Sequence, residues 1–187
     1  DLSVIKEQKK LISGIVSFSY PGMEIIERVS RVVDETFPYI PGLLSFREGP
    51  AILQTLEELN HKPDLMVFDG QGIAHPRGLG IASFIGVLTG IPSFGIAKKK
   101  LFGDYTEPDV KAGSVSNLYH PEDKSIIGSV VRTKTKVKPV FVSVGHKISL
   151  DKSVELALEF TRGYRLPEPT RQAHLFVNEV RREMLGK

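Results

Sequence analysis

Asp69 stands where α/β proteins commonly do chemistry. It ends the apolar run Leu65-Met66-Val67-Phe68 and opens Gly70-Gln71-Gly72. A carboxylate just past a buried strand must be hydrated, paired or bound to a cation, because burying it bare is too costly. It could equally cap its own turn by accepting from the amides of Gln71 and Gly72. Glu48, in Ser45-Phe46-Arg47-Glu48-Gly49-Pro50, is a second candidate, although an anion there also favours the N-terminus of a following helix. Asp1 is a third carboxylate, at a chain end where order is commonly lost. The basic groups are Lys98, just beyond Ser93–Ala97, and two histidines. His75 is biased toward an extended backbone by Pro76. His174 falls with Arg171, Asn178 and Arg181 at i, i+3, i+7 and i+10, one polar stripe beside Ala173, Phe176, Val177, Val180 and Met184. That stripe reads as a solvated face or as the rim of a cleft. Carboxylate oxygens suit Mg²⁺, and lysine and histidine beside it fit phosphoryl chemistry, where charge on phosphate must be stabilised.

The remaining composition narrows the chemistry. The chain has no cysteine, which excludes disulfides, cysteine-ligated zinc and thiol nucleophiles, and no closely spaced histidine pair offers a softer site. Gly70-Gln71-Gly72 lacks the spacing of a P-loop or a dinucleotide fingerprint. Over 187 residues, 25 Lys and Arg against 22 Asp and Glu give a net charge of +3, which permits a polyanionic partner without requiring one. The positive charge is local. Lys98-Lys99-Lys100 is one cluster, and the stretch from Arg132 to Lys147 contains five Lys or Arg and no acid. In that stretch Arg132, Lys134, Lys136 and Lys138 sit around an expected turn at 135–137, either a solubilising tip or a phosphate contact. The apolar runs fall far short of the ~20 residues that span a bilayer, so no membrane partner is expected and a cytoplasmic protein is the default.

The elements that must position these residues follow from periodicity. A β-hairpin is expected from Leu11 to Val33 around Pro21-Gly22, then a stiff loop, Thr36 to Gly42, with two prolines. A helix should cover Pro50 to Asn60, with Pro50 in its first turn. A strand at 65–68, a helix at about 79–89 and a strand at 93–97 form a βαβ unit, which brings Asp69 and Lys98 to one sheet edge. Strands at 125–134 and 139–144 and helices at 149–160 and 171–185, the last capped by Thr170, complete a single α/β domain over 1–187.

Several blocks together resemble the endonuclease V family. They are Phe37-Pro38-Tyr39-Ile40-Pro41-Gly42-Leu43-Leu44-Ser45-Phe46-Arg47-Glu48, Phe68-Asp69-Gly70-Gln71-Gly72 with His75-Pro76-Arg77, Gly95-Ile96-Ala97-Lys98, and Arg165 to Arg171. The resemblance runs in order along essentially the whole chain. It implies a ribonuclease-H-like mixed sheet, antiparallel in its first strands and then parallel, flanked by helices. It also implies Mg²⁺, with Mn²⁺ as a substitute, held by Asp1, Glu48 and Asp69. Asp1 matches the aspartate of the family's first-strand Val-Asp-Leu-Ser motif, of which Asp1-Leu2-Ser3 is present. Members carry a longer segment before that aspartate, so upstream residues are expected in the parent protein.

By the same resemblance, Lys98 and His174 join the catalytic set and Tyr39 is the wedge that fills the gap left by a flipped base. His75 supports that base or its loop, while Gly42, Leu44, Gly70 and Gly80 line a hypoxanthine pocket. The implied activity is hydrolysis of the second phosphodiester bond 3′ to deoxyinosine in DNA, leaving 3′-hydroxyl and 5′-phosphate ends, by a monomer. Two alternatives stay open: an endoribonuclease for inosine in RNA, or a non-catalytic nucleic-acid binder. A glycosylase would also flip the base, but would leave an abasic site instead of a nick.

Overall fold

The computed structural model describes every residue except Tyr39, Pro41 and Lys187. Along the described chain run β1 (Leu2–Ile5), β2 (Lys10–Phe18), β3 (Ile25–Asp34), α1 (Leu44–Leu56), β4 (Met66–Phe68), α2 (Ile81–Thr89) and β5 (Ser93–Ala97). They are followed by β6 (Asp104–Tyr105), β7 (Val115–Tyr119), β8 (Ile126–Val131), β9 (Val140–His146), α3 (Leu150–Glu159) and α4 (Glu168–Met184). The chain divides into two compact units, Asp1–Pro63 with Pro169–Lys187, and Asp64–Glu168.

In the first unit, β1, β2 and β3 pair antiparallel in that order. The ladder continues one residue before β1: Asp1 N donates to Gly14 O and Gly14 N donates to Asp1 O, both at 2.9 Å. Asp1 is therefore ordered. Apolar side chains from the sheet and α4 form one core, with Ile5, Ile12 and Val177 buried and Val180, Met184 and Leu185 packed against them. Each such burial is worth about 1.5–3 kcal/mol. Gly14 lets α4 come this close, since a Cβ at that position would lie 2.4 Å from Cγ1 of Val177.

The helix expected over 50–60 begins six residues earlier, at Leu44, and Pro50 lies in its interior, beyond the first turn. Buried Ser45, Gly49, Ala51, Ile52 and Thr55 fix the helix by packing, which outweighs the missing proline N–H. Glu48 therefore sits inside α1 and not ahead of its N-terminus. At the other end of the chain α4 starts at Glu168, so Thr170 is a buried first-turn residue and not the cap.

The second unit is built on a six-stranded sheet, ordered β4-β5-β9-β8-β7-β6. β4 and β5 are parallel and joined through α2, and every other neighbouring pair is antiparallel. The protein is thus α/β with mixed strand pairing, and the parallel part is confined to the βαβ unit read from the sequence. Phe94, Ile96, Val130, Val140 and Val142 are fully buried in this sheet. Ser149 caps α3 by accepting from Lys152 N–H at 3.2 Å, as a serine before a helix should. β6 and β7 were not expected from the sequence: β6 has two residues, and Ser116 and Asn117 blur the alternation of β7.

Candidate active site

In the second unit, the carboxyl ends of β4 and β5 deliver Asp69 and Lys98 side by side, as the crossover requires. Lys98 Nζ donates to Asp69 Oδ2 at 2.6 Å, and the two side chains are 35% and 11% exposed. The Asp69 carboxylate is mostly out of water and receives a charged donor, which compensates its lost hydration. The turn-cap alternative fails, because Gly72 N–H goes to Ser143 Oγ at 2.8 Å and no amide of the turn reaches Asp69 among the described residues. Ser143 is a hydroxyl in the otherwise apolar core of β9, and with Ile73 N donating to Val144 O at 2.8 Å it stitches the turn onto that strand. Gly72 is obligatory here, since a Cβ would lie 1.9 Å from Val144 O.

Lys98 is held from behind by a residue that the sequence reading placed only in a family block. Arg165 Nη2 donates to Lys98 O at 2.6 Å and to Pro139 O at 2.8 Å, and Nε donates to Lys138 O at 2.8 Å. His75 is buried in the turn beyond Asp69. Its Nδ1 accepts Arg77 N–H at 3.1 Å, which assigns the neutral ring with its proton on Nε2. Burial first, then the positive charge of Arg77, lowers its pKa from the ordinary 6.5. Gly70 follows Asp69 directly, and Gly80 caps the N-terminus of α2.

In the first unit, α4 brings His174 to Asp1. Nδ1 of His174 lies 2.7 Å from Asp1 Oδ2, with the side chains 47% and 13% exposed. Leu2 N–H donates to the other carboxylate oxygen, also at 2.7 Å. Asn178, one turn along α4, donates through Nδ2 to His174 O at 2.8 Å and sits 3.3 Å from Nε2. With Nδ1–H given to the carboxylate, Nε2 is the ring atom left to accept or release a proton. Within the polar stripe on α4, His174 is therefore paired with Asp1 and Asn178 braces it.

The other candidates are scattered by role. Glu48 is the fifth residue of α1 and half-buried. Leu44 is exposed at the first position of α1, and Gly42 lies in the turn before it with φ of 77°. Tyr39 lies outside the described residues. No described helix is long and apolar enough to cross a membrane.

Comparison with known proteins fits this arrangement. A family model described as endonuclease V matches residues 1–175. Endonuclease V of Dictyoglomus thermophilum is 53% identical over 176 residues, covering 94% of this chain and 75% of that protein. The crystal structure of endonuclease V from Streptomyces avermitilis superimposes with a TM-score of 0.93 at 38% identity, covering 99% of this chain and 80% of that one. Endonuclease V of Ciona intestinalis, in complex with a 24mer DNA containing an inosine followed by a ribo-adenosine, aligns with a TM-score of 0.83 at 26% identity, covering 98% and 84%. The mixed sheet and its helices are those of the ribonuclease-H-like fold. From the shared sequence blocks to the shared fold, this chain belongs to the endonuclease V family and is a nuclease, a hydrolase of nucleic acid.

Proposed function

We propose that this nuclease recognises deoxyinosine in DNA and hydrolyses the second phosphodiester bond on its 3′ side, leaving 3′-hydroxyl and 5′-phosphate ends. One observation carries the reading in a chain of this family. Two mostly buried carboxylates each face a basic side chain, Asp69 with Lys98 and Asp1 with His174. The inosine-containing DNA bound by the Ciona relative supports the choice of lesion.

The donors fit a hard divalent cation. Asp1 and Asp69 offer carboxylate oxygens and His174 an imidazole nitrogen, and the chain has no thiolate to draw a softer ion. Asp1, Glu48 and Asp69 would hold Mg²⁺, with Mn²⁺ as a substitute. When bound, the ion supplies a Lewis acid for the phosphate and lowers the pKa of water. The chain's own groups do the rest. Lys98 stabilises charge on the phosphoryl oxygens, a role its 2.6 Å contact with Asp69 preorganises. His174 holds its ring by Nδ1 on Asp1 and moves a proton at Nε2. The ring of Tyr39, between two prolines, replaces the stacking lost when the base swings out. Gly42, Leu44, Gly70 and Gly80 line the base pocket, and His75 fixes the turn beside it.

The ribo-adenosine that follows the inosine in the Ciona complex favours a second reading, inosine in RNA. A labelled oligonucleotide with one inosine, as DNA and as RNA, tests both with and without EDTA. Strand scission that needs Mg²⁺ and disappears in Asp69→Asn is expected. Metal-independent formation of an abasic site, or no scission of either polymer, would overturn the proposal.

A further inference from the structure

We propose that the turn at 134–138 is a phosphate-binding surface for nucleic acid flanking the cleavage point, fixed to Lys98 through Arg165. The inference rests on the nuclease reading and adds a binding surface to it. Lys134, Lys136 and Lys138 are exposed, and none has an ion pair among the described residues. Nothing about a merely solubilising turn demands the structure that holds them.

Lys136 sits at φ of 60°, a conformation that L side chains rarely adopt and that glycine or asparagine would fill more readily. It is kept there by Lys136 N donating to Val110 O at 2.9 Å, Val137 N to Lys134 O at 3.2 Å, and Ala112 N to Thr135 Oγ1 at 3.1 Å. Beneath the turn Arg132 is buried and makes four hydrogen bonds. It donates to Asp109 O at 3.0 Å, Val137 O at 2.6 Å, and both Glu107 Oε1 and Pro108 O at 2.8 Å. Glu107 is thereby committed to Arg132, and no acid pairs with the three ammonium groups among the described residues.

The turn is also tied to the candidate active site. The one Arg165 guanidinium binds the carbonyls of Lys138, Pro139 and Lys98. Three unpaired cations on a rigid turn, joined through one side chain to the lysine that faces Asp69, are suited to a run of phosphates continuous with the one being cut. Such contacts position a strand without reading its sequence.

The test is the salt dependence of binding to a 30-base-pair deoxyinosine duplex in EDTA, followed by fluorescence anisotropy. Three phosphate contacts contribute a slope of about 0.9 each in log K against log salt. The K134Q/K136Q/K138Q protein should thus have a slope shallower by about 2.7, so between 50 and 200 mM salt the wild type loses about 40-fold more affinity than the variant. The K134R/K136R/K138R protein, which keeps the charge, should keep the wild-type slope. A glutamine variant with the wild-type slope, or an arginine variant as shallow as the glutamine one, overturns the inference. Adding Mg²⁺ to the same wild-type complex tests the nuclease reading separately, since binding without cutting would count against that reading alone.

Discussion

Replacing Gly14 by alanine should unseat His174 from Asp1 without altering either residue. Gly14 pairs through its backbone with Asp1, and α4 crosses directly over it. The new Cβ would stand 2.4 Å from Val177 Cγ1 and 3.2 Å from Phe176 Cδ1. Carbon atoms settle at about 3.5–4.0 Å, so α4 must retreat by roughly 1–1.5 Å. The two ladder bonds involve main-chain atoms only and stay in place, so Asp1 remains while His174 moves. The 2.7 Å contact then opens beyond hydrogen-bond length. Overpacking of this kind costs about 1–3 kcal/mol, which for a chain of this size lowers Tm by roughly 2–12 °C. A displacement of about 1 Å at a catalytic group can cost on the order of 10²-fold in rate. Single-turnover scission of a deoxyinosine duplex, measured well below Tm, reads that second effect apart from the first. Adding Val177→Ala removes the obstructing methyl groups and should return most of the rate while leaving stability low. A Gly14→Ala protein that loses stability but cuts within twofold of wild type would refute the reasoning, as would a double variant no faster than the single one.

The other expectations concern the second unit. Lys98→Ala should slow scission by roughly 10²–10³-fold, the usual cost of losing one preorganised charge stabiliser; unchanged turnover with weaker binding alone would remove Lys98 from the chemistry. Ser143→Ala leaves the Gly72 N–H buried without its acceptor and should cost about 1–3 kcal/mol in a urea melt. His75 has a folded pKa below 6.5, so the unfolded chain binds the extra proton first as pH falls. Stability that is complete above pH 6.5 is therefore lost as pH drops through and below that value, and His75→Gln should flatten this part of a Tm-against-pH curve. An unchanged slope in the variant would show that His75 does not govern it.

How much could be read from the sequence depended on how local each signal was. Asp69 and Lys98 each follow a short apolar run separated by a helix-length segment, so the handedness of a βαβ crossover alone made them neighbours. Asp1 and His174 are 173 residues apart, and no periodicity joins them. Their pairing depends on how α4 crosses β2 at Gly14, a tertiary fact; the family resemblance put both residues in the site without pairing them. The start of α1 was misplaced because Pro50 resembles a first-turn proline, whereas the buried residues on both sides of it fix the helix by packing. Arg165 left no compositional trace, since its work is done by three backbone carbonyls that look like any others in a sequence. Ser143 did leave a trace, as the lone hydroxyl in an apolar strand, but its partner, the Gly72 amide, lies 71 residues away.

The most direct test of the central claim is to map the products from an end-labelled duplex carrying one deoxyinosine, with Mg²⁺ present and then chelated. The account predicts a single cut one nucleotide beyond the lesion on its 3′ side, bearing a 3′-hydroxyl and a 5′-phosphate, that disappears in EDTA. A cut at the lesion itself through an abasic site, or the same cut persisting in EDTA, would contradict it.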